Sequence, residues 1–241
     1  LHSPDRALLG RELRRFTASA NYMLNCGMGI LGMVVAAVAL IWKGRDFLRA
    51  VSLVLPVDTE TVSVLLCAAV CAIISMNDMA APSVSLEGKS LWLAQSLPVT
   101  AWQVLRAKLR MHLLLTAVPG AVLGVCLVAV CDFPAAQMAA VLALAAVFLV
   151  FSALLNLFLG LKMPNLHWTS EITPIKQSGA VAIALLGGWA YAAAMAVLYF
   201  LVGRHMGFAA YMAAFLALTL AAAVLLYIWV RKKGCAIFAS L

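Results

Sequence analysis

Six long stretches of this chain carry no charged side chain, and none of them shows the strict apolar and polar alternation of a strand. They cover roughly 22–42, 61–76, 113–131, 135–161, 179–203 and 207–230. A bilayer's hydrocarbon core is about 30 Å thick and takes about 20 helical residues to cross. Lipid also leaves the backbone no partner but itself, which favours helices over open strands. The pattern therefore predicts an all-α polytopic membrane protein with six transmembrane helices, at 22–42, 61–80, 110–131, 135–161, 179–203 and 207–230. An interfacial helix over 1–20 precedes them, and 81–109 forms a loop between the second and third. The second span is the shortest, because Asn77 and Asp78 interrupt its end. It needs either little tilt or extra length from Val51 to Leu55 through a bend at Pro56.

Composition agrees with this and excludes alternatives. Of 241 residues, 66% are hydrophobic and 11% charged, against about 25% charged in soluble domains. A soluble fold is excluded, and no room remains for a nucleotide-hydrolysing domain. The 17 Lys and Arg sit at or beyond the ends of the spans. Thirteen fall on the side of the two termini, and only Lys43, Arg45, Arg49 and Arg204 on the other. By the positive-inside rule both termini are expected in the cytoplasm. The net charge of +8 is then a signal of topology and of anionic lipid rather than of nucleic acid. Cys67 and Cys71 are four residues apart on one helical face, but no His or carboxylate joins them within the run. Packing is expected there, not a metal. No catalytic constellation and no cofactor site is visible on this chain. His112 is expected at a membrane boundary, and His167, Trp168 and Glu171 on a structural loop.

Two polar segments are informative. Ser3-Pro4-Asp5 has the cap, the proline and the acid of a helix start. Leu9, Leu13 and Phe16 then recur on one face while Arg11, Arg14 and Arg15 occupy others, which predicts an interfacial helix. The stretch from Asn77 to Arg110 is too apolar at Leu91, Trp92, Leu93 and Leu97 for a solvated linker, and too charged for a span. Pro98 ends one short helix there, and Thr100 with Gln103 has the spacing of a capping box that opens the next.

The run Glu87-Gly-Lys-Ser-Leu-Trp-Leu-Ala-Gln-Ser-Leu-Pro98-Val-Thr-Ala-Trp-Gln-Val-Leu-Arg-Ala-Lys108 resembles the loop between spans two and three in permease subunits of ATP-binding-cassette exporters of the six-span, short-loop type. The shared features are an acid, a run of leucines, a Leu-Pro-Val-Thr turn and a Lys about ten residues after the proline. Arg11-Glu-Leu-Arg-Arg-Phe16 before the first span also resembles the family, and Met163-Pro-Asn-Leu-His-Trp-Thr-Ser-Glu-Ile-Thr-Pro-Ile-Lys-Gln-Ser178 after the fourth is similar to a Phe-Pro-x-x-x-Trp-x-x-Glu segment in long bacterial members. The resemblance implies a multi-pass protein of the bacterial inner membrane that is not itself an enzyme. A separate ATPase subunit would bind ATP and Mg, and a second permease half would complete the pathway. It implies that the loop docks on the ATPase through Leu93, Leu97, Pro98, Trp102 and Leu105, with Glu87, Lys89, Arg106 and Lys108 as a polar rim. The cargo would be lipophilic or amphipathic, whether peptide, lipid or drug. One feature departs from the family: Gly203-Arg-His-Met-Gly207 leaves room only for a tight turn, where several members insert short re-entrant helices. Two such halves share one chain in long members, and a chain that opens at Leu1 is compatible with a second half.

Small residues mark expected helix contacts. Gly120 and Gly124 form a GxxxG, and Ala184 and Gly188 repeat the spacing. Asn21 and Asn25 in the first span, with Gly188, Trp189 and Tyr191 in the fifth, are candidates for pathway or helix contact. With no Asp, Glu, Lys or Arg in the interior of a span, energy is expected from a partner rather than from an ion gradient. The alternative class is a non-transporting assembly or sensor subunit, or a lipid-modifying enzyme, which would need a paired acid and base near the interface.

Overall fold

The structure is a computed structural model that describes residues 3–54 and 58–241; the bend expected at Pro56 lies outside them. It consists of helices joined by short turns, with no β-strand among the described residues. Helix α1 (Pro4–Ala18) begins where the sequence places it, with Pro4 in its first turn and Asp5 at the positive end of its dipole. It buries Leu8, Glu12 and Phe16, one step round from the predicted stripe, and Leu9 and Leu13 are half-buried beside them.

The first predicted span is not one helix. It divides at Gly27 into α2 (Ala20–Cys26) and α3 (Met28–Val54), the latter running well past Trp42. The second also ends early: α4 (Thr59–Ile74) stops before residues 75–79, which turn into the four-residue α5 (Ala80–Ser83). These two interruptions face each other. Asp78 N donates to Cys26 O at 3.0 Å and Gly29 N to Met76 O at 3.4 Å, so each break supplies backbone partners that the other lacks. The approach is close, since a Cβ on Gly29 would lie 2.6 Å from Ile73 O and 2.7 Å from the Asn77 amide.

A 3₁₀ turn (Ser85–Ser90) leads into α6 (Leu91–Ser96). Helix α7 (Ala101–Val130) opens with the predicted capping box, in which Thr100 and Gln103 each accept from the other's backbone N–H. Then follow α8 (Ala135–Lys162), α9 (Ile172–Lys176), α10 (Gly179–Leu198), α11 (Arg204–Met206), α12 (Phe208–Trp229) and α13 (Cys235–Ser240). A tight turn at Gly207, whose φ of +84° suits glycine, joins α11 to α12.

Five helical stretches are long and apolar enough to cross a membrane: Met28–Asp46, Ala101–Val130, Ala135–Lys162, Ile172–Met206 and Phe208–Ser240. At 16 residues, α4 is shorter, reaching about 24 Å. The fold is that of an all-α, multi-pass membrane protein. Helix α8 runs through its middle and packs against α4, α7, α10 and α12. Cys67, Cys71, Leu144, Phe148 and Met195 are buried at the centre of this core. Leu31, Val35, Val38 and Ile41 on α3, and Leu218 and Leu225 on α12, point outward, as side chains facing hydrocarbon do.

Candidate functional site

The chain gathers its charge at one end of the bundle, where α1, the 3₁₀ turn, α6 and the first turns of α7 meet. Lys108 is fully buried there, and its Nζ donates to Glu87 Oε1 at 2.6 Å, to Glu12 Oε2 at 3.1 Å and to the Ser83 carbonyl at 2.9 Å. Arg11 Nη2 bridges Glu12 Oε1 and Glu87 Oε1, both at 2.8 Å, and Arg15 Nη2 holds Glu87 Oε2 at 3.0 Å. Arg106 pairs with Asp5, and Arg110 lies 4.0 Å from the same carboxylate. Helix α1 is thus tied to the loop and to α7 by ion pairs at both of its ends. A buried pair of this kind must have all its partners, because an isolated charge in a dry interior is far more costly than an exposed one.

The network sets the charge state of Glu87. Burial by itself pushes the carboxyl up, but Lys108, Arg15 and Arg11 outweigh it and lower it from 4.5 to about 2. A depressed carboxyl stabilises the fold above its ordinary value, and that contribution disappears as the pH falls through the folded value. The midpoint of thermal unfolding in detergent should therefore change little down to about pH 5 from this source and fall between about pH 4.5 and pH 2. Glu87→Gln should lose stability at neutral pH and show a shallower acid decline. An equally steep decline in that variant would rule out Glu87 as its origin.

Glu87 and Lys108 therefore do not form an outward polar rim; their charges are used inside the chain. Leu105 is also fully buried, packed with Val104 and Leu91, and cannot serve as a contact residue. Trp102 is half-buried in an edge-to-face pair with Tyr227, ring centroids 5.6 Å apart. Arg106 is half-buried against Asp5. Lys89, Leu93, Leu97 and Pro98 face outward. Trp92, which belongs with them, is 66% exposed, and Leu93 and Leu97 are 48% and 38% exposed. Opposite this ridge, Leu91 and Ala94 bury the inner face of α6, and Gln95 Nε2 donates to Phe238 O at 3.0 Å, fastening it to α13. Trp168 closes the other side: its Nε1 donates to Ser85 O at 2.6 Å and its ring lies against Gly88. With φ +50° and a virtual Cβ 3.1 Å from that ring, position 88 accommodates glycine without strain. His167 is exposed.

The remaining candidates divide into two settings. Asn21 and Asn25 are exposed on α2, Asn25 Nδ2 donating to Asn21 O, and Trp189 is exposed on α10. Gly188 and Tyr191 turn inward: a Cβ at Gly188 would lie 2.2 Å from Ser75 Cβ, and the Tyr191 hydroxyl meets Thr219 Oγ1 at 2.7 Å among Phe148, Phe151 and Phe215. Gly120 and Gly124 differ. A virtual Cβ makes only an ordinary contact at Gly120, 3.7 Å from Met33 Sδ, but is tight at Gly124, 3.2 Å from Leu142 Cδ2 on α8, and both residues line an apolar groove of about 740 Å³ between α4, α7 and α8. The closest approaches are at Gly188, against Ser75, and at Gly160, 2.3 Å in the same measure from Ala81 O. His112 is fully buried within the bundle, its Nδ1 accepting from Ala80 N. Near it in the turn after α4, Asn77 and Asp78 are buried as well, so an acid does lie inside the bundle, at its charged end.

No family model, curated protein or solved structure matches this chain. The chain's own most distinctive surface is an exposed apolar ridge on and just after the short α6, whose inner face is fixed to the membrane helices. Among the described residues no group of three or more His, Cys, Asp or Glu is placed to hold a metal ion.

Proposed function

We propose that this chain is the membrane permease subunit of an ATP-driven exporter of the ATP-binding-cassette type. It crosses a bacterial inner membrane six times with both termini in the cytoplasm. It works with a second permease half and two ATPase subunits that bind ATP and Mg. The observation that carries this reading is the ridge of Trp92, Leu93 and Leu97, large apolar side chains exposed at the charged end of the bundle on a helix whose other face is fixed. Such a patch marks a protein contact, and aromatic residues at its centre suit a binding anchor. The clamp of Lys108, Glu12, Glu87, Arg11 and Arg15 gives the ridge mechanical continuity with α7 and α1. Closure of the ATPase pair would push on α6, and the push would pass to the membrane helices without being absorbed in a soft loop. The apolar lining of the groove beside Gly120 and Gly124 suits a lipophilic cargo.

Trp92→Asp together with Leu93→Asp should abolish co-purification of the ATPase and its stimulated hydrolysis while leaving the permease folded, because neither side chain is buried. Mass spectrometry of the native complex identifies the partner. Unchanged association and activity in the double variant would overturn the docking assignment.

A further inference from the structure

We propose that the pocket between α1, α2 and α9 binds the zwitterionic headgroup of a phospholipid with a primary amine, of the phosphoethanolamine class. The pocket encloses about 160 Å³ and is lined by Arg15, Ala18, Ser19, Tyr22, Leu86, Glu171 and Ile175. One cation and one carboxylate thus share a small cavity without pairing with each other. Arg15 uses Nη2 on Glu87, yet its side chain remains 27% exposed and lines the pocket. A phosphate oxygen is the acceptor a guanidinium fits best. Glu171 takes a single hydrogen bond, from Ser19 Oγ at 3.2 Å to Oε2, which leaves Oε1 for a donor. A ligand whose phosphate meets Arg15 and whose ammonium meets Glu171 satisfies both ends at once. A purely anionic headgroup would set its charge against Glu171, and a trimethylated amine has no N–H to donate.

The surroundings show that the ligand is amphiphilic. Beyond Ser19 the same helix carries exposed Met23 and Leu24, and α3 continues the surface with Met28 and Leu31. Acyl chains can lie along this apolar strip while the headgroup sits in the pocket. Leu86 and Ile175, both buried, shield one wall from water, which strengthens the polar contacts inside. This inference is independent of the ATPase reading, since it uses neither α6 nor the exposed ridge.

The test uses the purified full chain in mixed micelles offered phosphatidylethanolamine, phosphatidylcholine and phosphatidylglycerol in turn, with native mass spectrometry reading the lipid retained. The wild-type chain should keep phosphatidylethanolamine about tenfold more strongly than either of the others, the ratio that loss of one charge-assisted hydrogen bond produces. Glu171→Gln should remove that preference without unfolding the protein, because Glu171 is exposed and makes one hydrogen bond. Ser19→Ala, which frees Glu171 Oε2, should keep it. Equal retention of all three lipids, or an undiminished preference in Glu171→Gln, overturns the proposal. Free phosphoethanolamine is the second probe: saturable binding of it without retention of the lipid would assign the pocket to a soluble zwitterion and overturn the lipid assignment.

Discussion

Lys108→Met is expected to destabilise the protein by about 3–5 kcal/mol, the cost of removing one partner from a buried ionic cluster. Methionine matches the length of the lysine stem but not its charge, so Glu12 and Glu87, 1% and 2% exposed, would keep only the two arginines that reach in from the surface. The Ser83 carbonyl would also lose its donor. The thermal midpoint of detergent-purified protein reads the loss, and protease sensitivity between α1 and α2 shows whether α1 has come free. Lys108→Arg should retain part of the stability by restoring charge at the wrong shape. The double variant Lys108→Met, Glu12→Gln should be less destabilised than the two single effects added together, because the residues touch. A loss below about 1 kcal/mol, the size of a surface ion pair, would show that the cluster is hydrated and not the clamp described above.

Gly160→Val is expected to be the second severe lesion. Even an alanine Cβ at this position would sit 2.3 Å from Ala81 O, a backbone atom that cannot turn aside as a side chain does. Accommodating a branched side chain requires α5 to move off α8, at about 3 kcal/mol or more, the upper range for overpacked sites. Because α5 also supplies the carbonyl for Lys108 and the N–H for His112, the displacement should reach the ionic cluster. Gly187 is the matched control: its virtual Cβ meets nothing within 4 Å, and Gly187→Ala should be neutral or stabilising by up to about 1 kcal/mol through helix propensity. Equal melting of the two variants would show that α5 is held loosely.

What the sequence disclosed was local. The start of α1 at Pro4 and the capping box of Thr100 and Gln103 rest on contacts a few residues apart, and both are present. The charge-free runs placed the long helices, because exclusion of charge from lipid acts on each segment separately. Asn77 and Asp78 mark the second span as short, but the break at Gly27 and the pairing of the two breaks leave no local signal, since each is compensated by the other across distant sequence. The same is true of the site. A lysine in a basic loop looks solvated until Glu12, far away in sequence, is brought against it. Pattern alone therefore places Glu87, Lys108 and Leu105 outward although they are buried, reads Arg11 and Arg15 as a charged face, and gives Glu12 no role beyond the Arg11–Phe16 segment. Exposed Trp92, apolar in a loop, carried a usable signal: a large aromatic side chain without a core to enter points to a partner.

The paired breaks of α2/α3 and α4 also constrain how the protein is made. Cys26 O and Gly29 N find their backbone partners on Asp78 and Met76, residues synthesised a full helix later. On leaving the ribosome the first apolar segment thus has unfilled backbone groups at Gly27, and it can complete them only after the second segment has followed it into the membrane. The two segments mature as one unit. Exchanging either of them alone between related proteins would leave the break without its mate, whereas transplanting residues 20–79 as a block would preserve it.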